Sequence, residues 1–184
     1  MQQIKGSVLR ARLAYVEQEF GAEGIAQLIE ASSEEDRRIL KAPLTIQWYP
    51  FDVSRRLDDT IVRVLGHGDR ALFERMGEAS AQKNLTSLHR NFLTPGDPHA
   101  FMAKAPSIYA LYYETGSRTY EKTGDRRGIM TTHDAETFSE PDCLTIVGWY
   151  RHALTMCGAT RPRVTEEECR AKGGAVCRYR VEWD

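Results

Sequence analysis

The sequence has no excess charge of either sign. Its 25 lysines and arginines face 26 aspartates and glutamates, a formal net charge of −1 at pH 7. Nucleic-acid-binding domains usually carry a basic surplus, so that class is not expected. No run reaches the ~18 apolar residues of a membrane-spanning helix. Met1 to Tyr15 is amphipathic and lacks an apolar signal-peptide core, so a cytoplasmic protein is expected. There is no internal repeat and no low-complexity linker. Also missing are a Gly-rich phosphate loop, His-Glu-x-x-His and Gly-x-Ser-x-Gly. His67, His89, His99, His133 and His152 are scattered, and a lone histidine is more often a hydrogen-bonded structural residue than a catalyst. The expectation is a protein that is not an enzyme.

What is present fits one domain, 1–184. A chain of 184 residues can bury roughly 70% of its unfolded surface and needs no staples to fold. Its four cysteines then read as thiols or metal ligands before disulfides. Val8, Leu9, Leu13, Val16 and Phe20 repeat at helical spacing and predict a helix from Ile4 to Phe20, stopped by Gly21. A second helix is expected over 22–30. Ser32, Ser33 and Glu35 signal the start of a short third. Leu44 to Phe51 reads as an extended piece. Helices are expected over 53–65 and 69–85, divided by Gly66-His67-Gly68. The small residues Gly77, Ala79, Ser80 and Ala81 imply close packing. Thr86 is expected to cap a short helix ending near Leu93.

Asp97 and Pro98 open a helix expected to carry Phe101, Met102, Ala105, Ile108, Tyr109, Tyr112 and Tyr113 on one face. A hairpin is expected from 118–122 and 128–132 about Gly124-Asp125. Ser139, Asp142 and Pro141 open a helix over 140–157, closed by Gly158. Two strands, 164–171 and 175–183, flank Gly173-Gly174 and form a terminal hairpin. The fold class is therefore α+β, a mostly helical domain with a small antiparallel sheet that includes a C-terminal Cys-bearing β-hairpin.

The cysteines carry the most chemistry. With a three-residue loop, Cys169 and Cys177 fall opposite each other, Cβ atoms roughly 4.5–5.5 Å apart. Cys143 and Cys157 sit at opposite ends of the preceding helix, about 21 Å apart. A strand running back along that helix brings Cys169 to Cys143. Three thiols with a carboxylate from Glu166-Glu167-Glu168 would complete a closed tetrahedral zinc site. The plainer reading is that these cysteines fill the core, since Cys-x7-Cys is not a tight zinc spacing. Glu168 opposite Arg178 and Glu166 opposite Arg180 would then be ordinary cross-strand ion pairs.

The segment Glu166-x-x-Cys169-Arg-Ala-x-Gly-Gly-x-x-Cys177-Arg178 resembles the C-terminal signature of the 4-vinyl-reductase domain of the NO-signalling and Golgi-transport ligand-binding superfamily. Cys143-Leu-Thr-Ile-Val-Gly148-Trp-Tyr is similar to the cysteine-led helix before it. Lys5-Gly6 through Tyr15-Val16 to Phe20-Gly21 is similar to the opening of heme-NO-binding domains. End to end, the chain resembles an uncharacterised paralogous family of myxobacterial proteins. The phenol-sensing relatives imply a dimeric receptor with a structural zinc, its ligands falling on Cys143, Glu166, Cys169 and Cys177. Glu166 and Cys169 point to opposite faces of a regular strand, so Glu166 needs a bulge; without one Glu167 is better placed. The histidine that binds phenol in those sensors falls near Tyr109, so phenol is not the expected ligand. The Tyr-x-Ser-x-Arg motif of heme-binding relatives is not matched by Tyr113-Glu-Thr-Gly-Ser117-Arg118. His99 is the one imaginable axial ligand, and no heme is expected.

Two functions remain. The first is a stand-alone sensor for a small, largely apolar molecule, its pocket walled by Met102, Ile108, Tyr109, Tyr112 and Tyr113. A pocket of about 300 Å³ or more beside Tyr109 would support that reading, and a solid core there would sink it. The second is a protein-docking adaptor like the superfamily's vesicle-tethering subunits. A homodimer is expected in either case.

Overall fold

The computed structural model describes residues 2–87 and 89–184. Its first strand, β1 (Gln3–Lys5), leads straight into α1 (Gly6–Ala31). The helix expected from Ile4 thus begins later. Ile4 lies opposite Tyr49 in a two-stranded antiparallel ladder and packs, fully buried, against Val8 and Phe51. Helix α1 is broken at Gly21, where φ 67° and ψ −170° suit glycine. The expected stop is therefore a kink between two helical segments. Ser33, rather than Ser32, caps α2 (Glu34–Leu40) by accepting the Asp36 N–H.

β2 (Trp48–Pro50), the partner of β1, precedes α3 (Phe51–Val64) and α4 (Leu72–Leu85). Thr86 does not open a helix. Its hydroxyl donates to the Gln82 carbonyl and ends α4, and Arg90–Phe92 form a single 3-10 turn. Leu88, inside the expected short helix, lies outside the described residues.

The helix expected to run from Asp97 to Tyr113 is two short ones, α5 (Pro98–Met102) and α6 (Ala105–Tyr109). Asp97 caps the first as expected, accepting the Ala100 N–H at 2.9 Å. Pro106 has no N–H to donate and restricts the residue before it, so the helix restarts instead of continuing. The break sends Met102 and Tyr109 to different surroundings.

β3 (Ser117–Gly124) and β4 (Arg127–His133) form the expected hairpin. α7 (Glu140–Met156) follows, its start capped by Ser139. β5 (Arg163–Glu168) and β6 (Cys177–Glu182) complete an antiparallel sheet of order β3-β4-β6-β5. The strands of the terminal hairpin are shorter than expected, because residues 170–172 form a 3-10 turn and Gly173 adopts φ 89°.

Among the described residues two large apolar cores result, beside the small Ile4–Val8–Phe51 cluster. One packs α5, α6 and α7 on the sheet, and the other packs α1, α3 and α4 on one another. They meet where α4 crosses α7. A Cβ on Gly77 would collide with the Thr145 carbonyl, and one on Gly148 with the Glu74 carbonyl. The close packing expected of the small residues of α4 is thus made within the chain, at Gly77. Arg151 of α7 flanks this crossing and pairs with Glu74 and Glu78 of α4 at 2.6 and 2.7 Å.

A buried ion network ties the cores together. Arg12 of α1 donates to both carboxylate oxygens of Asp58 on α3, at 2.5 and 3.0 Å, and to Asp142 of α7 at 3.3 Å. All three are almost wholly excluded from solvent. Asp142 was expected to close a capping box. Its N–H does bond Ser139, but its carboxylate turns inward to Arg12 and Tyr113. Burial pushes the Asp58 carboxyl up to about 6 against the pull of Arg12.

Two outcomes are expected. Gly148→Ala should cost about 1–3 kcal/mol or more, because a backbone carbonyl, not a flexible side chain, must give way. The midpoint and slope of urea unfolding measure it. Arg12→Met should cost about 3–5 kcal/mol by leaving buried carboxylates unpaired. The Asp58 pKa is raised in the folded state, so its contribution to stability is full below about pH 4 and is lost as pH rises through about 6. Without Arg12 to oppose it, that loss should deepen, making the variant most deficient at neutral pH in a urea series run from pH 4 to 8.

Candidate ligand cavity and thiol cluster

Helices α1, α4, α6 and α7 enclose a cavity of about 70 Å³. Val8, Met76, Ile108, Ile146 and Trp149 give it an apolar wall, and Ser80, Asn84, Tyr109, Tyr112 and Tyr113 give it polar tips. Four of the five expected pocket residues therefore line it. Met102 does not: it lies on α5, fully buried in the core between α7 and the sheet. The cavity is smaller than the expected 300 Å³, yet the region is not solid. On its outer side it shares Ser7, Ala11, Ser80 and Asn84 with a surface groove of about 530 Å³ between α1 and α4. On its inner side Tyr109, Tyr113, Arg118 and Asp142 border a gap that also reaches Cys143, Cys177 and Tyr179.

The tyrosines are held in place. Tyr109 stacks on Tyr113 with centroids 4.7 Å apart and donates its hydroxyl to the Thr115 carbonyl at 2.7 Å. Tyr113 donates to Asp142 at 2.8 Å. Burial pushes the Tyr109 phenol up to about 12, so it stays a neutral donor. Arg118 of β3 is the residue the sequence reading passed over. It is 4% exposed and opposes Thr132 in the β3–β4 ladder. Its Nε donates to the Thr132 hydroxyl at 3.0 Å, and one terminal nitrogen reaches the Tyr150 hydroxyl at 3.4 Å. The other terminal nitrogen, Nη2, has no partner among the described residues. The alternation of the strand was the available signal, since it puts Arg118 on the inward face with Tyr120.

Cys143, Cys169 and Cys177 converge, as the sequence implied. The Sγ atoms of Cys143 and Cys169 are 3.6 Å apart and those of Cys143 and Cys177 are 3.8 Å apart. All three sulfurs lie within 4.8 Å of one another, are buried, and form no disulfide. A tetrahedral ion with metal–sulfur bonds of about 2.3 Å holds its sulfurs roughly 3.8 Å apart, so this spacing suits a metal. Cys177 is the acidic member, lowered to about 7 because it accepts from the Cys143 thiol and from the Arg170 N–H. Cys143 is raised, hemmed in by the other two thiols and by burial. Cys157 is buried at the far end of α7 and, among the described residues, belongs to no such cluster.

The strand does contain the bulge that Glu166 needs. Glu166 faces Tyr179, while Glu168 faces Arg178, with Glu167 as the extra residue. This phase shift puts Glu166 on the face of Tyr179 and Cys177. Its Oε2 accepts from Lys172 at 2.8 Å, and its Oε1 is buried without a partner. Glu166 is outside the 4.8 Å group of sulfurs. Of the expected ion pairs, Glu168–Arg178 forms at 2.8 Å. Glu166–Arg180 does not, because the bulge hands Arg180 to Glu167 at 3.3 Å.

No curated protein matches the sequence. Solved structures do match the fold. An Fe(II) unliganded H-NOX protein from K. algicida superposes with a TM-score of 0.75 at 16% identity, covering 98% of this chain and 96% of that one. An H-NOX protein from S. oneidensis in the Fe(II)NO ligation state gives 0.73 at 13% identity, covering 98% and 99%. Another structure, concerned with heme distortion in the H-NOX family, gives 0.74 at 11% identity over 98% and 95%. The chain thus has the fold of H-NOX proteins.

The cavity is far smaller than a porphyrin, and no histidine lines it among the described residues. His99 lies elsewhere, with Nδ1 bonded to the Tyr120 hydroxyl at 2.7 Å, Nε2 to the Asp125 carbonyl at 2.8 Å, and its ring against Trp183. Among the described residues no helix is long and apolar enough to cross a membrane. The family described as "Protein of unknown function (DUF2378)" matches residues 2–184, and the chain belongs to that family.

Proposed function

We propose that this protein is a ligand-binding sensor domain for a small, largely apolar molecule, acting without catalysis and without heme. The observation that carries the reading is the cavity among α1, α4, α6 and α7, with its apolar wall and its outlet to the α1–α4 groove. Its volume limits the ligand. At about 10–15 Å³ for each water-sized position, it holds roughly five to seven such positions. The fold of the H-NOX proteins agrees with a sensing role. Among the described residues the lining pairs no nucleophile with a base, which supports binding over turnover. In this reading the protein works in the cytoplasm, as a homodimer like the receptors its sequence resembles.

We also propose a structural zinc held by Cys143, Cys169, Cys177 and Glu166. The sulfur spacing, the acidic Cys177 and the unpartnered Oε1 of Glu166 support it. Three thiolates and a carboxylate would fill the four tetrahedral positions, leaving none for a substrate. The ion would pin the start of α7 to the β5–β6 hairpin.

Native mass spectrometry of protein purified without chelator tests the sensor. A retained small molecule, or uptake of a small apolar probe such as pentanol that Ile108→Trp blocks, is the expected result. No uptake of any small apolar probe would refute the sensor. Elemental analysis is expected to give one zinc per chain, lost in Cys169→Ser and Cys177→Ser but kept in Cys157→Ser. Zinc-free protein whose hairpin amides are equally protected from exchange in all three variants would show that the thiols are core residues only.

A further inference from the structure

Arg118 carries an inference about what the cavity recognises; it rests on reading that cavity as a ligand site. A guanidinium taken out of water is costly unless it meets a carboxylate or a full set of hydrogen-bond acceptors. Arg12 shows the usual solution in this same molecule, with Asp58 and Asp142 both within 3.3 Å. Arg118 is as deeply buried and has neither. Among the described residues no carboxylate lies within ion-pair distance of it. Its neighbours are the Thr132 and Tyr150 hydroxyls and the faces of Tyr109 and Tyr150, at 4.8 and 5.5 Å. Nη2 is left over. Asp142 is the one carboxylate in the cavity lining, and Arg12 and Tyr113 already occupy its two oxygens.

We propose that Arg118 makes this a site for a small apolar acid. The ligand's carboxylate takes the charge-assisted bond that Nη2 lacks. Its hydrocarbon body lies along Val8, Met76, Ile108 and Trp149, and its tail points to the groove between α1 and α4. The sequence of spaces supports this polarity. Arg118 borders the inner gap shared with Cys143 and Cys177, while Ser80 and Asn84 border the outer groove. The volume admits an acid of about four to seven carbons, with longer chains emerging into the groove.

Calorimetric titration of the full chain with pentanoate, 1-pentanol and pentylamine, at one pH and ionic strength, tests the assignment. Pentanoate is expected to bind at least tenfold more tightly than pentanol, and pentylamine most weakly. In Arg118→Met the acid preference should vanish, pentanoate losing at least tenfold in affinity and pentanol far less. Ser80→Leu, at the opposite end, should weaken acid and alcohol together. The wild-type order is informative even if Arg118→Met fails to fold. Equal binding of acid and alcohol, preference for the amine, or an unchanged pentanoate affinity in a folded Arg118→Met would overturn the inference and leave the sensor standing. Binding of none of the three would remove the sensor reading and the inference with it.

Discussion

The buried guanidinium of Arg12 decides how the two halves of this fold meet. It cannot stay charged in an apolar interior without partners, and its partners come from α3 and from the first turn of α7. Once those contacts are made, α1 lies at a fixed angle to α7, and the space they leave beside α4 and α6 becomes the cavity. The Gly77–Gly148 crossing then sets how near α4 approaches. A purely apolar interface could slide by a ridge or two at small cost. A guanidinium shared between two carboxylates has few alternatives, which fits the role of buried ion pairs as registry devices.

α7 joins the cavity to the thiols. Asp142 faces Arg12 and Tyr113, and the next residue, Cys143, is the centre of the thiol cluster. Gly148, Trp149 and Tyr150 follow on the same helix, packing on α4 and closing the cavity. An occupant that shifted the first turn of α7 would move Cys143 relative to Cys169 and Cys177, which are carried by the sheet. The terminal hairpin is the element best placed to register such a shift.

Much of this was legible in the sequence because local rules govern it. Ser33, Asp97 and Ser139 mark helix starts by the chemistry of their hydroxyl or carboxylate, and each caps as read. Cys169 and Cys177 were placed together by hairpin arithmetic, and helix length separated Cys157 from them. What could not be read depends on distant partners. Arg12 meets Asp58 and Asp142 across 46 and 130 residues, and nothing near Arg12 announces either. The single helix expected from Pro98 to Tyr113 failed at Pro106, whose effect on the residue before it was outweighed in the reading by a long apolar pattern. That error moved Met102 to the wrong side of the core. Arg118 stands at the end of an unmatched motif, and only the alternation of its strand points it inward.

The bulge at Glu167 has a consequence that concerns counting. Along a regular strand, positions an odd number apart look in opposite directions, and Glu166 and Cys169 are an odd number apart. One surplus residue between them corrects the parity, so both look toward Cys177. Direction on this strand is therefore set by the number of residues as much as by their identity. Deleting Glu167 would straighten the strand and leave Glu166 two residues from Cys169, still on the Tyr179 face, whereas one further residue in a regular pairing would turn Glu166 away; changing Glu167 to another residue leaves the count, and the arrangement, as it is. In this short stretch a length change and a substitution are different kinds of mutation.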